Sequence, residues 1–572
     1  MTRRYGRDSL LIATLAAVFL LAPGGAGARS GADVDVEKLV ARMSVDEKVG
    51  QLFMVGIRGQ KVTDDTRRLI GEYHPGGFFL AGGKNIVNRR QTAEFTEELQ
   101  AAAMAAPNGV PLLISTDQEG GVGSHVNVLT GGVDTVGNLA LGASPFLEDT
   151  YVSYSIMADD LRAYGLNVAL APVLDVLLNK DNPMNHIRSF GADPAEVSAR
   201  GREAVRGFQD NGVIACAKHF PGKGDTPVDS HVSAPVTGED RGTLDRTILP
   251  PFRAAVEAGV DSIMLNHEVY TALDPDNVAT VSEPIIAGLL KGEMGFAGIV
   301  ITDSITMGGM TGTLKHDEAA YLAIRAGADM VLYARDAPEL LAAAVAKVRE
   351  KLAGGELNME RVDDAVTRIL RVKAKYGLFD GPRGVSAEEY GAMKRANLSA
   401  SRSVALNTIT VVRDTGVLPL NPDEGERILV VSPGSFFTVP LMESLFPVGT
   451  SLGAEAGKAA RGLRVAFYDL KTLERDAPRA LALAQEVDVV VFGSIHAYWS
   501  PEIVDFVGRL ESTGKPVVVV GMSVPYDVEK FPRVDAFVAA YSPRSVSLEA
   551  AVKVLFGFAE PKGRPPVGLD LD

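Results

Sequence analysis

Between residues 50 and 335, short apolar runs alternate with longer stretches in which apolar residues recur every three or four positions with charges between them. The short runs read as strands and the longer stretches as amphipathic helices. Eight runs predict strands, at 51–55, 77–80, 111–115, 168–171, 212–217, 262–265, 298–302 and 330–333. Helices are legible at 92–103, 196–208, 337–352 and 359–376. Strand and helix in alternation make βα units around a parallel sheet, and eight of them fit one (β/α)8 barrel more economically than two open sheets. The runs are apolar almost throughout, as suits strands covered on both faces.

Past residue 376 the pattern changes. Residues 377–395 are rich in Gly, Pro and charge, and we read 377–400 as a linker. New apolar runs at 409–412, 428–431, 465–467, 487–492, 516–521 and 536–540, with helices at 477–485, 501–511 and 545–555, predict parallel strands in an open layer. The fold class is therefore α/β: a (β/α)8 barrel over 29–376, followed by a smaller, doubly wound α/β domain over 401–572.

Polar residues cluster where the barrel strands end. Asp117-Gln118-Glu119 follows the third, Lys218-His219 the fifth, Asn266-His267-Glu268 the sixth and Asp303-Ser304 the seventh, with Arg335 near the end of the eighth. Chemistry in such barrels gathers on loops at the carboxyl ends of the strands, so this one-sided clustering predicts a polar pocket at the barrel mouth.

Composition narrows the partners. With 57 Lys+Arg against 72 Asp+Glu the net charge is −15, which opposes binding to nucleic-acid phosphates. A hydrophobic share of 46 % excludes a disordered chain. Arg3, Arg4 and Arg7 precede an apolar run over 10–22 and then Ala26-Gly27-Ala28, the signature of a cleaved signal peptide at 1–28 and of export to the periplasm or beyond. That run is shorter than the ~20 residues a spanning helix needs, so no stable membrane anchor is expected after cleavage. The single cysteine, Cys216, excludes an internal disulfide, and its setting in Ile214-Ala215-Cys216-Ala217 suits a small buried hydrophobe.

The densest polar segment runs from Lys218 to His231. Within it Asp229 and His231, two residues apart, can pair so that the carboxylate orients and charges the imidazole, a general acid/base dyad. An isolated Asp-x-His more often ties down a surface loop. Here, however, three of the chain's 8 histidines, His219, His231 and His267, fall on adjacent loops of one barrel face. Asp303 ends an apolar strand, where a half-desolvated carboxylate suits attack on a sugar carbon; the alternative is a cap for the next helix. Asp117, Arg188, Lys218 and His219 supply the fixed donors and acceptors that pyranose hydroxyls need, although each also has an ordinary ion-pair explanation.

Taken in order, Gly50-Gln51-Leu52, Asp117-Gln118-Glu119-Gly120-Gly121, Arg188-Ser189-Phe190-Gly191, Lys218-His219-Phe220-Pro221-Gly222, Asp229-Ser230-His231 and Ile301-Thr302-Asp303-Ser304 resemble glycoside hydrolase family 3, in its β-N-acetylglucosaminidase branch, over nearly all of the mature chain. That resemblance implies a retaining exo-glycosidase acting on terminal β-linked N-acetylglucosamine of peptidoglycan fragments or chitin-type oligosaccharides. It implies Asp303 as the nucleophile that forms a covalent glycosyl-enzyme and His231, assisted by Asp229, as the acid/base. Asp117, Arg188, Lys218 and His219 would hold the sugar, and no metal or other cofactor is required. Three positions depart from the family pattern: Lys223 stands where a histidine is usual, and Val122 and His125 where arginines are usual. A lysine beside His231 would lower the imidazole pKa and attract an anionic group. A β-glucosidase or β-xylosidase of the same family and a sugar-binding barrel without turnover remain alternatives. A metal hydrolase built on the three histidines is a weaker one, because they form no His-x-His or His-x-x-x-His pair.

Overall fold

The computed structural model describes residues 34–182, 185–223, 226, 233–312, 314–381, 384–434 and 450–571. The predicted signal peptide lies outside them.

All eight predicted strands of the first half form: β1 (Phe53–Gly56), β2 (Gly77–Phe79), β3 (Leu113–Thr116), β4 (Val168–Ala169), β5 (Ile214–Phe220), β6 (Ser262–Leu265), β7 (Ile299–Thr302) and β8 (Val331–Tyr333). They are parallel in the order β7-β6-β5-β4-β3-β2-β1-β8, and a bridge between Ile301 and Met330 brings β7 back to β8 and closes the barrel. Every residue in these strands is buried, which accounts for the unbroken apolar runs. The outer helices start where capping side chains stand. Asn88, Asp193 and Asn358 each accept from a backbone amide in the first turn of Arg89–Met104, Pro194–Gln209 and Met359–Lys375, and Pro194 occupies the first helical position, where its missing N–H costs nothing.

Two strand ends differ from expectation in ways that shape the mouth. β4 stops at Ala169, short of 171, although Ala171 O and Pro172 O still accept from Cys216 N and Lys218 N of β5. β5 runs on to Phe220, since Lys218 N donates to Pro172 O (2.9 Å) and Asn266 N to Phe220 O (2.9 Å). Lys218 and His219 therefore lie within the strand rather than beyond it.

The expected linker is only partly irregular. Ala387–Thr408 is one helix of 22 residues, started by a reciprocal cap between Ser386 and Glu389. Its Tyr390 hydroxyl donates to Asp160 Oδ1 (2.8 Å) and its Ser401 hydroxyl to Asp134 O (2.6 Å), both in the barrel, while Arg402 pairs with Glu549 of the second domain (2.9 Å). The Gly/Pro-rich composition ends near Ser386, and the Ala-rich sequence that follows favours helix.

The second sheet contains β9 (Thr410–Asp414), β10 (Ile428–Pro433), β11 (Arg464–Tyr468), β12 (Val489–Ser494), β13 (Val517–Gly521) and β14 (Ala536–Ala539), in the order β9-β14-β13-β12-β10-β11. Five strands are parallel as expected, but β9 is antiparallel to β14. An apolar run does not encode its own direction, and an antiparallel strand at the edge of a parallel sheet is common. The helices Pro501–Glu511 and Ser545–Leu555 match their predicted bounds, and Leu473–Ala484 starts one turn earlier.

The second domain docks beside the barrel mouth. Arg544 Nε donates to Gly121 O (2.9 Å) on the loop after β3, and Ser545 Oγ to Asp134 Oδ2 (2.8 Å). His186, on the loop after β4, stacks on Trp499 at 4.6 Å. Tyr498 lies under the ammonium groups of Lys180 (5.4 Å) and Lys530 (4.5 Å). These aromatics, which could have stacked on a sugar, are engaged in packing the two domains together.

Candidate active site

Two groups of charges form the floor of the mouth. In the first, Lys218 points from β5 so that its Nζ is 2.7 Å from Asp117 Oδ1 and 2.7 Å from Glu119 Oε1. Arg188, on the short 3-10 turn His186–Arg188, meets Glu119 with two parallel bonds, Nε to Oε2 and Nη2 to Oε1, both 2.8 Å. Two anions and two cations thus balance in a nearly buried set. Burial alone would raise the pKa of Glu119, but Arg188 and Lys218 outweigh it and hold the carboxyl well below its ordinary range. The same carboxylates keep Lys218 protonated despite its burial. Asp117 keeps 28 % of its side chain exposed, the most of the four, and so presents an oxygen to the cavity.

Asp175 organises the second group. It sits on the loop after β4 and is fully buried, receiving the His219 amide (3.2 Å) and the Lys223 amide (2.8 Å) on Oδ1 and His219 Nδ1 (2.7 Å) on Oδ2. Desolvation raises its pKa to about 6 against the pull of Lys223 and these donors. At neutral pH it is the anion that fixes the His219 ring and the start of the loop after β5. The peptide bonds Lys218–His219 and Phe220–Pro221 in this segment are cis.

Asp303 follows β7. Its own neighbour clamps one oxygen, the Ser304 amide donating to Oδ1 at 2.7 Å, and Lys223 Nζ stands 3.5 Å from the other. The two side chains retain only 14 % and 4 % of their exposure. Burial opposes the charge on Asp303, yet Lys223, His267, the Ser304 amide and Lys218 together lower its pKa below the usual carboxylate value. The carboxylate is ionised, fixed at both oxygens and still open on one side, as a nucleophile requires.

The structure thus brings Asp117, Arg188, Lys218, His219 and Asp303 to one face. Asp229 and His231 lie outside the described residues. Lys223 places its ammonium 3.5 Å from Asp303, and its expected effect on His231 falls outside the described residues. Val122 and His125 are buried; His125 Nδ1 is 2.8 Å from Thr116 Oγ1, and burial lowers the pKa of the ring. Cys216 is buried in β5 with its thiol pushed up to about 12, consistent with a packing role.

Sequence reasoning misses two members. Glu119 escapes it although Lys218 and Arg188 together carry one more positive charge than Asp117 can balance. Asp175 escapes it although it is the only acid in the apolar stretch Leu170-Ala171-Pro172-Val173-Leu174-Asp175-Val176 after a barrel strand. An acid there needs buried donors.

Known proteins of similar sequence and structure share one family. Residues 44–372 match the glycosyl hydrolase family 3 N-terminal domain and residues 409–571 its C-terminal domain. A β-N-acetylglucosaminidase/β-glucosidase of Cellulomonas fimi is 31 % identical over 562 residues, 93 % of this chain and 95 % of that protein. β-Hexosaminidase A of Pseudoalteromonas piscicida is 32 % identical over 385 residues, 64 % of each chain. Among solved structures, a family 3 β-N-acetylglucosaminidase from Paenibacillus sp. str. FPU-7 superposes with a TM-score of 0.87 at 33 % identity, covering 93 % of this chain and 100 % of that one.

Proposed function

This chain belongs to glycosyl hydrolase family 3 and is a glycoside hydrolase of the N-acetylhexosaminidase type, and from that premise we propose that it is a retaining exo-β-N-acetylglucosaminidase with Asp303 as nucleophile. One observation carries the reading. A carboxylate at the end of β7 is kept ionised and clamped at both oxygens, on the same barrel face as two oppositely charged pairs suited to sugar hydroxyls.

In the first step an Asp303 oxygen bonds to the anomeric carbon while the glycosidic bond breaks, and His231, charged by Asp229, gives its proton to the departing oxygen. In the second step water attacks the same carbon, His231 takes the water's proton, and the Asp303 carboxylate is restored. Two displacements return the β anomer. Asp117, Arg188, Lys218 and His219 hold the sugar in the cleaved subsite. On the strength of the N-terminal sequence we place the enzyme outside the cytoplasm, and the resemblance to the family suggests peptidoglycan fragments or chitin-type oligosaccharides as its substrates.

The test compares nitrophenyl β-N-acetylglucosaminide with nitrophenyl β-glucoside and follows the product anomer by proton NMR. Faster release from the N-acetylated substrate with β product first formed is expected, and Asp303→Ala should abolish it. Preferential glucoside cleavage would move the enzyme to the family's glucosidases, and an α product would exclude a covalent intermediate on Asp303.

A further inference from the structure

His267 is fully buried and stands two residues past β6, while Asp303 stands one past β7 with its amide donating to Leu265 O at 3.0 Å. The two strand ends therefore lie side by side. Hydrogen bonds around the ring settle its proton count. Nε2 is 3.0 Å from the Ser304 carbonyl oxygen, which can only accept, so Nε2 carries a hydrogen. Nδ1 is 2.7 Å from Thr280 Oγ1. That hydroxyl has one hydrogen, and its oxygen is 2.6 Å from the Asn266 carbonyl oxygen, a distance two bare oxygens do not tolerate. The hydroxyl hydrogen points to Asn266, so Nδ1 must donate as well. A ring with hydrogen on both nitrogens is an imidazolium.

We propose that His267 is a positioning residue that works as an imidazolium: it ties the Ser304 carbonyl, and so the turn carrying Asp303, and gives that carboxylate a positive neighbour in addition to Lys223 and Lys218. The inference rests on the reading of Asp303 as nucleophile. Its charged surroundings favour it. Asp303 faces it from β7, and Glu268 follows it in the chain, buried, with Oε2 3.1 Å from the Tyr270 hydroxyl. Lys223 and Lys218, from the β5 side, share the field at Asp303 and oppose the charge.

The imidazolium also bears on the second displacement. While Asp303 is an ester, the ring has lost the anion of that carboxylate. When water bonds to the anomeric carbon and the ester bond breaks, the electron pair stays on the Asp303 oxygen and the ion pair is restored, so the fixed cation stabilises the leaving carboxylate.

Nitrogen-15 NMR of the full chain labelled at histidine tests the proton count at pH 7, with His267→Gln identifying the resonances. Two protonated ring nitrogens are expected; a neutral tautomer would overturn the proposal. In kinetics, His267→Gln keeps a donor for the Ser304 carbonyl but removes the charge. The acid limb of kcat/KM on dinitrophenyl β-N-acetylglucosaminide, whose leaving group needs no proton, should then move up by about one pH unit. An unmoved limb would likewise overturn it. Asp303→Ala separates the two readings: turnover surviving in that variant would remove the nucleophile assignment, while the NMR result would still decide the state of His267 in the wild-type chain.

Discussion

Lys223 Nζ and Asp303 Oδ2 face each other at 3.5 Å, a buried cation against the carboxylate proposed as nucleophile. Lys223→Met should raise the acid limb of the kcat/KM profile by about one pH unit, and Lys223→Arg should return most of it. The sign follows from the removal of a positive neighbour, which makes Asp303 easier to protonate. A profile unchanged in Lys223→Met would show that the ion pair does not set the nucleophile's ionisation.

Glu119 neutralises Arg188 and Lys218 together. Glu119→Gln leaves two nearly buried cations with Asp117 alone, and losing one partner of such a set costs about 3–5 kcal/mol. The unfolding midpoint in denaturant should fall accordingly. Glu119→Gln should also raise KM, because Arg188 and Lys218 lose their fixed positions. A stable variant with normal KM would show that the set is not needed to place them.

Asp175 is fully buried and acts on the cavity only through its neighbours, joining His219 to the backbone of Lys223. Asp175→Asn preserves shape but offers only one accepting oxygen for three donors. We expect kcat/KM to drop by about 100-fold with the fold intact by circular dichroism, the order of loss that a small misplacement of a site residue brings. Activity within about threefold of wild type would count against this role.

Lys373 lies at the opposite end of the barrel. Fully buried, it donates to Gln51 Oε1 (2.7 Å), and desolvation lowers its pKa to about 7. Between pH 7 and the ordinary lysine value of 10.5 the unfolded chain holds a proton that the folded one has lost, so stability increases with pH across that window. Thermal unfolding at pH 7 and pH 9 should show a higher midpoint at pH 9, and Lys373→Met should shrink the difference.

Much of this is legible in the sequence because unbroken apolar runs such as 262–265 have a single reading when helices separate them. Asp303, Lys218 and Asp117 stand out for the same reason, as polar residues where apolar runs stop. What escapes depends on partners far away in the chain. The direction of β9 is set by β14, more than a hundred residues on. Glu119 and Asp175 act through Arg188, His219 and Lys223, and only folding brings those donors to them. The 387–408 helix is obscured by the Gly/Pro-rich residues just before it, although its own composition favours helix.

That helix has a consequence for how the molecule comes apart. Its side chains bond to both halves, through buried Tyr390 and Ser401 to the barrel and through Arg402 to the second domain, so loss of order in either half removes contacts from the other. Heating should melt the protein in one calorimetric peak, and severing the chain near residue 380 should leave a barrel fragment with an exposed apolar seam that is prone to aggregate.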